Sequence, residues 1–168
     1  MPRLSCLAAL PAILLGLAPA HAAPSTISLL NAVERAEAVT RGQVVEVDLD
    51  RDRQGRLVYE VDVAHSGSHR EVKVDARRGK VLANTAQRME GMLRKVTSGG
   101  YPGLDNAPAL STTLRALERS TGGRVTDVDF DVERGSARYE VELATAKGVA
   151  GLYIDPQTGK RLNFVVDD

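Results

Sequence analysis

The chain has 168 residues, with 22 Lys and Arg against 22 Asp and Glu. That balance lacks the basic excess of a nucleic-acid binder and gives no polybasic segment for an anionic membrane. With no Trp, two Phe and four Tyr, there are too few rings for a platform that stacks bases or sugars, and the core must be built from Val, Leu and Ala.

Met1-Pro2-Arg3 makes a short basic start, Leu4 to Pro19 is apolar, and Ala20-His21-Ala22 offers small residues where a signal peptidase reads. This three-part pattern is expected to be a secretory signal peptide over residues 1–22, cleaved before Ala23. Read as a membrane anchor, the run is short and rich in Ala, whereas a span needs about 20 strongly apolar residues. Cys6 lies ahead of the apolar core, so it is not placed as a lipobox cysteine. Cleavage would remove the one cysteine, leaving an exported chain stabilised by burial without a disulfide.

The next stretch, residues 23–84, reads as one unit. Ser25 or Thr26 is expected to cap a helix striped by Leu29, Leu30, Val33 and Ala36 and stopped near Gly42. A strand follows with Val45, Val47 and Leu49 on one side and Glu46, Asp48 and Asp50 on the other. After a turn through Gly55, Leu57, Tyr59, Val61 and Val63 continue the apolar side, with Glu60 and Asp62 outside. Val72 and Val74 mark a third strand, and Lys80 to Ala83 a short fourth beyond Gly79. Strict alternation with short links predicts an antiparallel meander with one wet face, its other face covered by the helix.

Residues 85–108 read as a connector. Asn84 to Gln87 looks like a capping box before a short helix through Met89, Met92, Leu93 and Val96, ended by the loop Ser98 to Gly103. Residues 109–168 then repeat the first unit. Leu110, Leu114 and Leu117 stripe a helix that stops at Gly122-Gly123. Val128, Phe130 and Val132 face in, while Asp127, Asp129, Asp131 and Glu133 face out. Tyr139, Val141 and Leu143 follow with Glu140 and Glu142 outside, then Leu152 and Ile154. The turn Asp155-Pro156-Gln157-Thr158-Gly159 leads into a fourth strand with Leu162, Phe164 and Val166. The copies share Leu29/Leu110, Glu37/Glu118, Thr40/Thr121, Val44/Val125, Val47/Val128, Asp48/Asp129, Tyr59/Tyr139, Val61/Val141, Asp75/Asp155, Gly79/Gly159 and Lys80/Lys160. Their offset changes by one residue in the first hairpin turn, where a deletion costs least. This is an internal duplication, and the expected fold class is α+β: two tandem repeats, each a helix packed on a small antiparallel four-stranded meander sheet.

The order helix, strand, Tyr-x-Val-x-Val strand and Val-x-Val-Asp-Ala-x-x-Gly-Lys-Val resembles the PepSY domain family. The match runs through Tyr59, Val61, Val63, Val72, Val74, Asp75, Gly79 and Lys80, and again through Tyr139, Val141, Leu143, Leu152, Ile154, Asp155, Gly159 and Lys160. PepSY domains occur in propeptides of secreted thermolysin-type metallopeptidases and in small envelope proteins, and the family is proposed to inhibit or regulate peptidases. The resemblance therefore implies a non-catalytic, protein-binding role. This chain carries no peptidase domain, so a target would be met in trans.

Antiparallel pairing sets Asp127, Asp129 and Asp131 against Glu140 and Glu142. Like charges opposed across a sheet are destabilising, so this stripe invites a cation or a basic partner. The plain alternative is a solvated face kept from edge-to-edge association. Asp48-Leu49-Asp50-Arg51-Asp52 opens like a calcium loop, but Arg53 stands where Gly is needed and Tyr59 where Glu is needed. His65 and His69 flank a tight loop as a two-histidine clip, with too few ligands for a zinc site unless a carboxylate joins them. No cofactor is expected. The mature chain has no Cys nucleophile, Gly-x-Ser-x-Gly elbow, His-Glu-x-x-His or phosphate loop. The sequence thus points to an exported, non-catalytic binding module for another envelope or secreted protein, a peptidase among the candidates. It would bind through Asp127, Asp129, Asp131, Glu140 and Glu142 and the loops at Gly67 and Gly148. The alternatives are a periplasmic cation or metal sensor and a structural envelope adaptor.

Overall fold

The computed structural model describes residues 25–65, 68–87, 101, 103–104 and 106–162. Helix α1 (Leu29–Val39) buries Leu29, Leu30, Ala32, Val33 and Ala36. Its cap is Ser28, whose hydroxyl accepts the Asn31 N–H at 3.2 Å, rather than Ser25 or Thr26. The reason lies at Ile27. Its N–H donates to the Ala76 carbonyl at 2.7 Å, and its carbonyl accepts the Tyr59 hydroxyl at 3.0 Å. With both backbone groups held by the sheet, the helix starts just after Ile27.

Strands β1 (Gln43–Arg51), β2 (Leu57–His65), β3 (Ser68–Asp75) and β4 (Val81–Gln87) form the first meander. Helix α2 (Leu110–Thr121) precedes β5 (Arg124–Glu133), β6 (Ser136–Thr145) and β7 (Gly148–Ile154). All pairings are antiparallel and join into one seven-stranded sheet, ordered β4-β3-β2-β1-β5-β6-β7. The α+β expectation holds, and the sheet runs unbroken through both units. Both helices lie against each other on one face, over Val47, Val61, Val72, Val128, Val141 and Leu152.

The duplication extends to local detail. The first strand of each unit carries a register shift at the same place, Val44/Glu46 and Val125/Asp127. Thr40 and Thr121 each donate a hydroxyl proton to the carbonyl four residues back, at 2.9 and 2.8 Å. In both third turns the Asp N–H bonds the Lys carbonyl, Asp75 to Lys80 at 2.8 Å and Asp155 to Lys160 at 2.9 Å. Gly79 and Gly159 close these turns with φ of 66° each, a left-handed conformation that disfavours a side chain.

The seam between units is short and symmetric. Val47 of β1 faces its own counterpart, Val128 of β5, and Glu46 faces Asp129. Across the helices, Arg115 is ion-paired with Glu34, the position it repeats, and the Ser111 N–H donates to Glu37 at 3.2 Å. The buried Tyr139 hydroxyl donates to the Val44 carbonyl at 2.7 Å, and Gln43 Nε2 donates to the Ala107 carbonyl at 2.9 Å.

Two further local expectations change. Asn84 to Gln87 belongs to β4 instead of capping a helix, because Arg70 holds Asn84 at 2.7 Å and Asn84 in turn donates to the Val39 carbonyl at 3.0 Å. Leu49, expected to face in, is 49% exposed. Beyond Val47, β1 has no rung paired with β5, so its outer half lacks that neighbour. The fourth strand of the second unit is described only at its start, where Arg161 bridges to Ile154 and the Leu162 N–H donates to Tyr153. Phe164 and Val166, the leader at 1–22, and the connector helix through Met89 to Val96 lie outside the described residues.

Tyr139→Phe removes the buried hydrogen bond that ties β6 to β1. It is expected to lower the unfolding free energy in urea by about 1–2 kcal/mol. Tyr59→Phe, whose hydroxyl holds only the segment ahead of α1, is expected to cost less.

Candidate functional site

Strand alternation sends one set of residues to the sheet face opposite the helices. On β1 these are Glu46 and Asp48, on β2 Glu60 and Asp62, and on β3 Glu71. On β5 they are Asp127 and Asp129, and on β6 Glu140 and Glu142. The register brings them side by side: Glu46 with Asp62, Asp48 with Glu60 and Asp62 with Glu71 in the first unit. Asp127 meets Glu142 and Asp129 meets Glu140 in the second, and Glu46 meets Asp129 across the seam. The acids of both units thus form one field over five adjacent strands.

Bases bound to it stand at its flanks. Lys73 of β3 is ion-paired with Glu60 and, at 3.2 Å, with Glu71. Arg138 of β6 pairs with Asp131 at 3.2 Å and with Glu133, and its guanidinium lies 4.2 Å over the Tyr153 ring. Asp131, expected among the partner-binding acids, therefore has an internal partner. Asp48, Asp127, Asp129, Glu140 and Glu142 have no ion pair among the described residues.

His65 pairs with Ser68 and His69 with Ala64, so the two histidines occupy neighbouring rungs instead of sharing one. His69 is buried, its Nε2 3.9 Å from Asp62 Oδ2. Its ring stacks on Tyr101, which meets Phe130 edge-on. The Asp52 carboxylate of the calcium-like stretch is occupied by the N–H groups of Gln54 and Arg56, each at 2.9 Å, and by Arg56 Nε at 2.7 Å. No group of three or more His, Cys, Asp or Glu among the described residues is placed to hold a metal ion.

The family described as the peptidase propeptide and YPEB domain, PepSY, matches residues 26–85 and 109–163. The chain belongs to the PepSY family. It is similar to the uncharacterised protein YkoJ of Bacillus subtilis (strain 168), 28% identical over 144 residues that cover 80% of this chain and 74% of YkoJ. It is also similar to a crystal structure of a candidate lipoprotein from Clostridium difficile 630, at 16% identity and a TM-score of 0.40. That match covers 73% of this chain and 80% of the other. The two PepSY matches coincide with the two helix-and-meander units, and no helix among the described residues is long and apolar enough to cross a membrane.

In these PepSY units burial, and after it the neighbouring acids, raise three of the carboxyl groups. Burial, then the charges of Glu46, Glu71, Asp48 and Glu60, push Asp62 up to about 7. Burial and Asp129 raise Asp48, and burial with Asp129 and Glu142 raises Asp127. Burial also lowers His69, favouring its neutral ring. The sequence stripe singled out the second unit. It missed Glu46, Asp48, Glu60, Asp62 and Glu71, although the same alternation was visible there, because the pairing of β1 with β5 is what joins the two halves.

Between about pH 4 and 7, folded Asp62 keeps a proton that the unfolded chain has lost, so its contribution to stability falls as pH rises through that window and is flat above it. His69, with a lowered value, acts in the opposite sense below about pH 6.5. Asp62→Asn is therefore expected to match the native chain in melting temperature near pH 4. At pH 8 it should be more stable, by on the order of 2 kcal/mol. A gap that does not open between those pH values contradicts the assigned burial and crowding of Asp62.

Proposed function

We propose that the chain is a non-catalytic binding module of the cell envelope or exterior, whose acidic sheet face docks a protein that presents basic side chains, and that the partner is a peptidase held in check in trans. The observation that carries this reading is the single field of acids across β3, β2, β1, β5 and β6. Like charges on facing rungs cost stability, and a basic partner removes that cost on docking. A sheet face backed by two helices is also a rigid platform, so little ordering is needed on binding. The family's link to peptidase propeptides supports a peptidase as the partner, and the expected signal peptide supports export.

The experiment compares residues 23–168 with a quadruple variant, Asp127→Asn/Asp129→Asn/Glu140→Gln/Glu142→Gln, both checked for folding by circular dichroism. Each is used to capture partners from envelope and culture fractions and is assayed against a secreted thermolysin-type metallopeptidase. The native chain is expected to retain a partner and slow peptide hydrolysis, with both effects lost or weakened at least tenfold in the variant, about 1.4 kcal/mol. Equal retention by the two chains overturns the acidic face as the docking surface. Retention with no slowing of hydrolysis overturns the peptidase assignment for the enzyme tested.

A further inference from the structure

Asp62 and His69 are the two groups on the acidic face whose surroundings leave them least satisfied. Asp62 meets Glu46 across the β1 rung and Glu71 across the β3 rung. Glu60 lies two residues back on its own strand, and Asp48 lies diagonally across on β1. Asp129 of β5 stands behind Glu46, and Tyr101, ahead of α2, feels the charge of Asp62 and stacks on His69. Lys73, the base on this side of the face, is already bound to Glu60 and Glu71. His69 is 6% exposed, and its Nε2 has no hydrogen-bond partner among the described residues while lying 3.9 Å from Asp62 Oδ2. A buried ring nitrogen is rarely left without a partner.

We propose that Asp62 and His69 hold one proton between them, and that a basic protein segment docking on the acidic face drives that proton off, so that recognition is coupled to pH. The inference rests on the reading of the face as a docking surface and adds its regulation. A proton on Asp62 lets the carboxyl donate to Nε2, and a proton on Nε2 lets the ring donate to the carboxylate. In either state, closing the gap by about 1 Å makes a hydrogen bond and gives the orphaned nitrogen its partner. The proton also removes one of several crowded negative charges. Lys or Arg side chains laid over Glu46, Asp129 and Asp62 supply that positive charge instead, so they favour the ionised carboxylate and expel the proton. Linkage makes the effect reciprocal: raising the pH strengthens docking.

The spacing favours a protein segment as occupant. Acids on neighbouring strands are about 4.8 Å apart and those along one strand about 6.7 Å. That spreads charge across a surface that several long basic side chains can meet, and it does not converge on one ion.

The test uses residues 23–168 with an acetylated, amidated lysine decamer, whose charge is constant between pH 6 and 8. Carbon-detected NMR first follows the Asp62 carboxyl in the free protein, where it is expected to titrate near neutrality. Calorimetry in two buffers of different ionisation enthalpy then measures affinity and proton release at pH 6 and pH 8. The native chain is expected to bind more tightly at pH 8, by up to about tenfold for one linked proton, and to release protons on binding. Asp62→Asn is expected to bind the decamer with that release and that part of the pH dependence gone. Titration of Asp62 below pH 5, or decamer binding without proton release, overturns the coupling while leaving the docking face intact. No decamer binding at either pH overturns the docking reading itself, and the coupling with it.

Discussion

The pairing of β1 with β5 is the contact on which the rest of this architecture depends. A lone helix-and-meander unit would leave its first strand as an open edge, a template for pairing with another chain. Here each unit closes the other's edge, with Val47 against its own repeat Val128 and Glu34 against its own repeat Arg115. The geometry is that of a two-fold dimer written into one polypeptide. Because the relation is antiparallel and in register, both helices fall on one face and both sets of outward acids on the other.

That arrangement has an electrostatic consequence. At the seam Glu46 faces Asp129, and the flanking rungs on either side are also acid against acid. Where the fold needs such charges neutralised, it does so with cross-strand bases, Lys73 at one flank and Arg138 at the other. Toward the middle, burial and then the crowding instead raise Asp48, Asp62 and Asp127. Proton uptake and a docked basic partner are two ways to relieve the same repulsion, which is why a docking reading and a pH-linked reading arise from one set of residues.

Much of the fold was legible because its signals are local. Period-two alternation marked the strands around Val61 and Val141, and the Asp75–Gly79 and Asp155–Gly159 turns follow from carboxylate and glycine chemistry within five residues. What was not legible depends on distant segments. Ser28 becomes the cap because Ala76 and Tyr59 pin Ile27, and Asn84 joins a strand because Arg70 and the end of α1 hold its side chain. The stripe from Asp127 to Glu142 could be read within one hairpin. The matching acids of the first unit could not be added to it, since no local pattern says which edge of each meander meets the other. The sequence places His69 beside a tight loop, and its burial against Tyr101 comes from a segment more than thirty residues away.

The most direct measurement is the cross-strand contact at the seam, read as Hα–Hα and amide–amide nuclear Overhauser effects between Val47 and Val128 and between Glu46 and Asp129 in labelled protein. A single sheet shared by both units predicts these contacts with intensities like those inside the β1–β2 and β5–β6 hairpins. If both hairpins are intact and the seam contacts are absent, the two acid sets lie on separate sheets, and the account of one continuous face is wrong.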